Sequence, residues 1–371
     1  MAAELDIGID ASRLATVREC SVLERMPKWL ICVPLVVQWL WLSLRYASAT
    51  VPSAANPRIT SGGLVGEGKL EYFRGMGPLA RSLTAAHCPV FNDGTATQAA
   101  LLQAMRQGGL AFSVVAKPDL GLCGYGVRLL PDMAALNAYL AAFPTGETVV
   151  LQSYLPQEGE AGIFYARDPA TGEGRIIGRP GAAVFSARDG RRPQHRGRTR
   201  GRRSACAPHR TLAAARVPRA IVQRAGGRAA GAAGHHRFDP RRRLYRDGAA
   251  LITPELTHAV DAVDAVDAVA RDMPEFHFGR FDVRFESLRE LAAGRGFTIM
   301  EINGAGSEAI EAWDPDTGVM EGFRMIFAKQ RLLFAIGAAQ RRAGVRPIGL
   351  LALARLNRRQ QRLIAQYPPS N

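Results

Sequence analysis

From His277 to Asn303 apolar and polar residues alternate at period two in two runs, H-F-G-R-F-D-V-R-F and F-T-I-M-E-I-N, with a polar stretch near Glu290 to Gly296 between them. Such alternation marks half-buried strands, and two runs across a polar turn predict a β-hairpin. Period two sets Phe281, Val283 and Phe285 on one face and Arg280, Asp282 and Arg284 on the other. On the second run it sets Thr298, Met300 and Ile302 against Phe297, Ile299, Glu301 and Asn303. Upstream, the stretch from Ala111 to Leu130 predicts a buried strand ending at Lys117-Pro118, a loop holding Gly121, Gly124 and Gly126, and a returning strand. Asp132 to Phe143 reads as an amphipathic helix stopped by Pro144-Thr145-Gly146, and T-V-V-L-Q-S-Y-L after it as a strand. Thr253 as N-cap with Pro254 at the first helical position opens a helix running to Ala270. Its Ala-Val-Asp repeat spreads the aspartates around a helix, a solvated face and not a metal site. Glu321 to Arg342 is helical, with Phe323, Ile326, Phe327, Leu332, Leu333 and Ile336 as its core stripe. The tail from Arg346 is a basic amphipathic helix, read as a solvated end.

The most hydrophobic run, Trp29 to Leu44, is 16 residues long and holds Pro34 and Gln38. A membrane-spanning helix needs about 20 apolar residues. Buried core or subunit interface is the leading reading, an interfacial anchor the next and a true span the last. The Trp cluster with Lys28 and Arg45 at its ends would suit a membrane interface.

Composition narrows the class. At 371 residues, 47% hydrophobic and a mean hydropathy of −0.06, the chain can bury a substantial core in two or three domains. Five cysteines without C-x-x-C spacing argue against a disulfide framework, and a cytoplasmic setting with peripheral membrane association left open is the simplest. The net charge of +15 invites a nucleic-acid reading. Yet residues 179–245 hold 18 Arg and only two acids, Asp189 and Asp239, a local +16 that leaves −1 for the rest. Aromatics that would stack on bases are nearly missing there, so nucleic acid is not an expected partner.

The hairpin carries the chemistry. A half-buried strand places Asp, Glu and Asn among large hydrophobes only with a partner, because an unpaired buried carboxylate is costly. Magnesium is one such partner, taking oxygen from one or two carboxylates and completing its shell with phosphate and water. Asp282, Glu301 and Asn303 are ligands of that kind, and Arg280 shares their face, suited to a phosphate or an oxyanion. A surface hairpin with ordinary cross-strand ion pairs explains the same pattern. In the upstream loop, glycines let backbone N–H groups approach phosphate closely and Lys117 adds a point charge. The Walker pattern G-x-x-x-x-G-K-[ST] is absent.

Together, G-R-F-D-V, M-E-I-N-G-A-G and the strand–Lys-Pro–glycine loop–strand segment resemble the ATP-grasp superfamily, nearest the D-alanine–D-alanine ligase and carboxylate–amine ligase group. The resemblance covers about 111–178 and 246–325, with 51–69 as a further stretch. It implies an α+β ATP-grasp fold in which two lobes sandwich the nucleotide, ATP as cofactor, and two Mg2+ ions, with Mn2+ an alternative. It implies metal binding by Asp282, Glu301 and Asn303, and stabilisation of a tetrahedral intermediate by Arg280 with the Gly306/Ser307 turn. Nucleotide phosphates would fall to Lys69, Lys117, Gly121, Gly124 and Gly126. The adenine would fall to Gln152, where most members have Glu, with Tyr154 and Leu155 lining its pocket. Ribose hydroxyls would fall to Glu160 or Glu158. The expected partners are small carboxylate and amine substrates, and a homodimer is open.

The domain reading that follows is an N-terminal region (1–50), a pre-ATP-grasp region (51–110), a small lobe (111–178), an aberrant or disordered Arg-rich segment (179–245), a large lobe with the metal site (246–345) and a basic helix (346–371). At Gly178 the family pattern stops, and out-of-frame translation of the following segment is the favoured explanation, against a basic arm or a disordered insertion. That reading puts activity in doubt and admits an impaired remnant that still binds ATP. A rival takes G-A-G-S-E-A after the strand as a dinucleotide fingerprint, which requires a βαβ unit.

Overall fold

The computed structural model describes residues 23, 26–157, 159–177, 249–250, 260–307, 312 and 317–370. The Arg-rich segment, the helix start at Thr253-Pro254 and Glu158 lie outside the described residues.

Four strands form the smaller sheet: β1 (His87–Asn92), β2 (Val114–Pro118), β3 (Arg128–Leu130) and β4 (Glu147–Ser153), in the order β1-β4-β2-β3 and all antiparallel. Alternation in V-V-A-K-P sends Val114 and Ala116 inward, where they pack with Leu130, Leu151, Leu136 and Tyr139. The last two come from α5 (Met133–Ala142), which starts where Asp132 Oδ1 accepts the Ala135 N–H at 2.8 Å. The remaining helices before it are α1 (Lys28–Arg45), α2 (Lys69–Arg74), α3 (Pro78–Ser82) and α4 (Gln98–Gln107). The opposite parity, Lys117 on β2 with Val150 and Gln152 on β4, turns toward the second sheet, whose core Val150 joins.

That sheet runs β6-β5-β8-β9, from β5 (Gly159–Arg167), β6 (Gly174–Ile176), β8 (Phe278–Phe285) and β9 (Phe297–Asn303), with β7 (Ala249–Ala250) parallel to β5. On one face Ile163, Phe281, Val283 and Phe285 pack with Val263 and Val266 of α6 (Val260–Arg271) and with Leu70 and Phe73 of α2. On the other, Phe164 and Phe278 meet Leu333 and Ile336 of α8 (Val319–Arg342). The β8–β9 connection holds a short helix, α7 (Leu288–Ala292), capped by Ser287, where the sequence reads a plain polar turn.

The hairpin is present, with one correction. Asp282 pairs with Glu301, but Val283 pairs with Ile299, so Met300 is an extra residue bulged out of β9. Strict period two groups Phe297 and Ile299 with Glu301 and Asn303. The bulge flips the parity, leaving Phe297, Ile299 and Ile302 in the core and turning Glu301 and Asn303 to the face of Asp282.

Four further expectations change. Hydrogen bonding assigns β1 to the small sheet, so that unit begins before residue 111, and β5 and β6 to the large one, so it ends near Ser153. Of the reading of 29–44 as buried core or subunit interface, the core part holds for one side of α1 only: it seats Leu42 and Trp39 against Phe334 of α8, while Trp29, Val37 and Leu44 are exposed. Among the described residues the dinucleotide reading lacks its βαβ unit, because the ladder neighbour of β9 is antiparallel β8. The stripe of α8 is shifted, with Met325, Leu333, Phe334 and Ile336 buried and Phe323, Ile326, Phe327 and Leu332 half-buried.

Candidate nucleotide and metal site

Three segments far apart in sequence meet where the two sheets face each other. From β8, Arg280 binds Asp282 with two parallel contacts, Nε to Oδ1 at 2.6 Å and a terminal nitrogen to Oδ2 at 2.8 Å. Asn303 sits opposite Arg280 in the ladder and donates its Nδ2 to Asp282 Oδ2 at 2.8 Å, which leaves its Oδ1 as an acceptor. Gly162 of β5 pairs with Asp282 on the other side, so β5 places no side chain opposite that carboxylate. Glu301 takes Lys69 Nζ at 3.2 Å from the first residue of α2.

Lys69 is held there by the loop after β2. Asp119 accepts the backbone N–H groups of Lys69, through its carbonyl, and of Leu70, through Oδ1, at 3.1 and 2.8 Å. A Cβ on Gly121 would lie 2.9 Å from Lys69 Nζ, which ties the glycine loop to the same lysine. The carbonyl of bulged Met300 accepts both Lys117 Nζ at 3.5 Å and Gln152 Nε2 at 3.0 Å. One backbone irregularity therefore turns Glu301 toward the site and links the two sheets across it.

Burial shapes the charges. It pushes Asp282 up despite Arg280, and pulls Lys117 down despite Glu301. It would push Glu301 up as well, but Lys69 and Lys117 outweigh it and hold that carboxyl below its usual range. Three cations, Lys69, Lys117 and Arg280, face Asp282 and Glu301, with Glu160 and Glu67 close enough to act on them. Glu160 is raised by burial and joined to Arg284 at 2.9 Å, a partner the sequence reading leaves unassigned.

The donor set suits magnesium. Two carboxylates and one amide oxygen are all hard ligands, and magnesium is commonly held by only one or two carboxylates plus phosphate. Among the described residues there is no group of three or more His, Cys, Asp or Glu able to hold a metal without such help. The residues fit an ion shared with a phosphate ligand, with Lys69 and Arg280 now engaging the same carboxylates.

The other predicted residues divide. Tyr154, half exposed, and Leu155 lie on the segment that carries the chain from β4 to β5 between the sheets. Gly124 and Gly126, at φ +72° and +75°, shape the glycine loop, but their polar backbone atoms meet the C-terminal tail. Ser370 Oγ donates to the Gly124 carbonyl at 2.7 Å and accepts the Gly126 N–H at 3.1 Å. Gly306 and Ser307 spend their N–H groups on the carbonyls of Gly63 and Gly304, at 2.6 and 3.0 Å. They buttress the loop after Asn303, which leaves neither N–H group to meet an oxyanion.

Two residues were missed. Glu67, in G-E-G-K just before Lys69, is pushed up to about 7 chiefly by burial, and its Oε2 has no partner among the described residues. Tyr72 Oη is likewise buried, beside the Gly304 backbone, with a Cβ on Gly63 due 2.5 Å from it. The spacing from Lys69 was the available signal. No sequence feature marks the tail docking, in which Gln360 and Tyr367 donate to the carbonyls of Gly121 and Leu120.

No family model and no curated protein matches the chain. Solved structures similar to it include an ADP complex of purK, N5-carboxyaminoimidazole ribonucleotide synthetase, at 13% identity and a TM-score of 0.35 over 69% of this chain. The chain spans about half, 49%, of that protein. The D-cycloserine synthetase DcsG is similar at 15% identity and 0.34, over 73% of this chain and 70% of that one. The D-alanine–D-alanine ligase from Helicobacter pylori is similar at 11% and 0.28, over 73% and 60%. At such TM-scores these likenesses bear no weight, which falls on the residues.

Proposed function

We propose that this chain binds ATP with magnesium between its two sheets and is an ATP-grasp ligase joining a small carboxylate to an amine. The observation that carries the proposal is the bulge at Met300. It aligns Glu301 and Asn303 with Asp282 and Arg280, and its carbonyl gathers Lys117 and Gln152 from the facing sheet. An ordinary surface hairpin has no need of two lysines from outside it.

On this reading Lys117 and Lys69 hold nucleotide phosphates beside the glycine loop. Asp282, Glu301 and Asn303 would hold magnesium, which when bound supplies charge neutralisation between the phosphates. A substrate carboxylate takes the terminal phosphoryl group, and an amine then displaces phosphate from the acyl phosphate. Arg280, fixed in plane by its paired contacts to Asp282, faces the oxyanion that forms during displacement. Gln152, Tyr154 and Leu155 are the adenine contacts and Glu160 the ribose contact of this proposal. A D-alanine–D-alanine-like substrate pair is the finer form, and a cytoplasmic setting with a homodimer completes it.

A second reading, ATP binding without ligation, is favoured by the 18 Arg residues of 179–245, which stand where the resemblance expects strands and a covering loop. The experiment is a screen of amino acids in the amine and carboxylate roles, reading phosphate release from ATP. Ligation predicts release that needs both substrates and falls at least about a hundredfold in Lys117→Ala. Binding of ATP without substrate-dependent release leaves the second reading standing, and no binding removes both.

A further inference from the structure

Helix α1 has two unlike sides. At about 100° per residue, Ile31, Leu35, Gln38, Trp39 and Leu42 fall on the side packed against α8. Gln38 fixes that seat by donating to the Phe327 carbonyl at 2.8 Å and to Gln330 Oε1 at 3.1 Å. Trp39 adds an edge contact to Phe334 with centroids 4.8 Å apart. Trp29, Val33, Val37, Leu40, Trp41 and Leu44 fall within an arc of about 120° on the other side. They are exposed at 68, 54, 61, 57, 50 and 83%. A stripe of this size left open to water marks a docking surface.

Charge selects the occupant. Residues 28–66 contain no Asp or Glu, and 322–371 hold nine Arg and one Lys with no acid. Arg45 ends the stripe with its guanidinium 5.4 Å over the Trp41 ring, and Arg341 of α8 donates to the Tyr46 carbonyl beside it. Exposed Arg342 follows. Two copies of the chain meeting through this face would bring like charges together, whereas an anionic surface would complement them. Tryptophans near both ends and arginine at one are the arrangement of a helix lying in a headgroup layer. Among the described residues no helix is long and apolar enough to cross a membrane, and leaving the seat on α8 would strip Gln38 of its partners.

We propose that α1 is a monotopic anchor that lays its Trp29–Leu44 stripe on an anionic lipid surface. The anchor is independent of the nucleotide site and stands or falls separately.

Flotation of the full chain with phosphatidylcholine vesicles, with and without phosphatidylserine, tests it. Binding should be at least about tenfold stronger with phosphatidylserine, weaken with added salt, and weaken again in Arg45→Glu. Val37→Glu/Leu40→Glu changes only exposed side chains, so it should keep the parent melting temperature and lose vesicle binding at least about tenfold. A parent chain that floats with neither vesicle overturns the anchor. So does a parent dimer in sedimentation equilibrium that the double substitution splits, since a second copy then covers the stripe.

Discussion

Glu67 is an acid kept half-protonated near neutrality by its surroundings. Burial raises it from the ordinary 4.5 to about 7, with its own backbone and Lys69 pulling the other way. A carboxyl raised on folding binds more protons folded than unfolded, so its contribution to stability falls as pH rises from about 4.5 to about 7 and is flat above. Glu67→Gln removes that penalty. Thermal melts should show the variant equal to the parent near pH 4 and more stable by up to ~3 kcal/mol near pH 8. Equal pH profiles would mean that the carboxylate has a partner in solution. At this scale the sequence is generous with candidate ligands and silent about support. Asp282, Glu301, Asn303 and Lys117 stand out as polar residues inside apolar runs. Asp119, which orders Lys69, sits in a loop where an aspartate is unremarkable.

At the level of elements, the strands and helices around the site were legible because their periods are clean. The bulge was not, since Met300 is apolar and fits either parity, and only the pairing of Val283 with Ile299 exposes it. Nor was the role of the last helix, α9 (Leu350–Ile364), and the tail behind it. Read alone, R-L-N-R-R-Q-Q-R is a solvated basic surface, yet Gln360 is buried and Tyr367 stacks on Phe143 with centroids 5.2 Å apart. Tyr367 also donates to the Leu120 carbonyl at 2.7 Å, so the tail braces the glycine loop. Tyr367→Phe loses only that hydrogen bond, about 1 kcal/mol. Tyr367→Ala loses the stack too. In equilibrium titrations Tyr367→Ala should weaken ATP binding several-fold more than Tyr367→Phe, and equal effects would show that the stack does not order the loop.

For the whole molecule, the two sheets meet through Val150, Lys117 and Gln152 on one side and Met300 on the other, and the charged cluster lies on that seam. Such a seam suits a ligand that bridges both units, and the α+β class followed from sequence because each unit has its own periodic strands. The unit boundary did not follow, because hydrogen bonding sends β4 and β5, separated by only a few residues, to different sheets. The most direct test of the central claim is calorimetric ATP affinity with and without magnesium, in the parent and in Glu301→Ala. The parent should bind ATP at least about tenfold more tightly with magnesium, and the variant should lose that magnesium dependence. Equal affinities in the two proteins, with and without the ion, would contradict the metal-bearing hairpin and the ligase proposed on it.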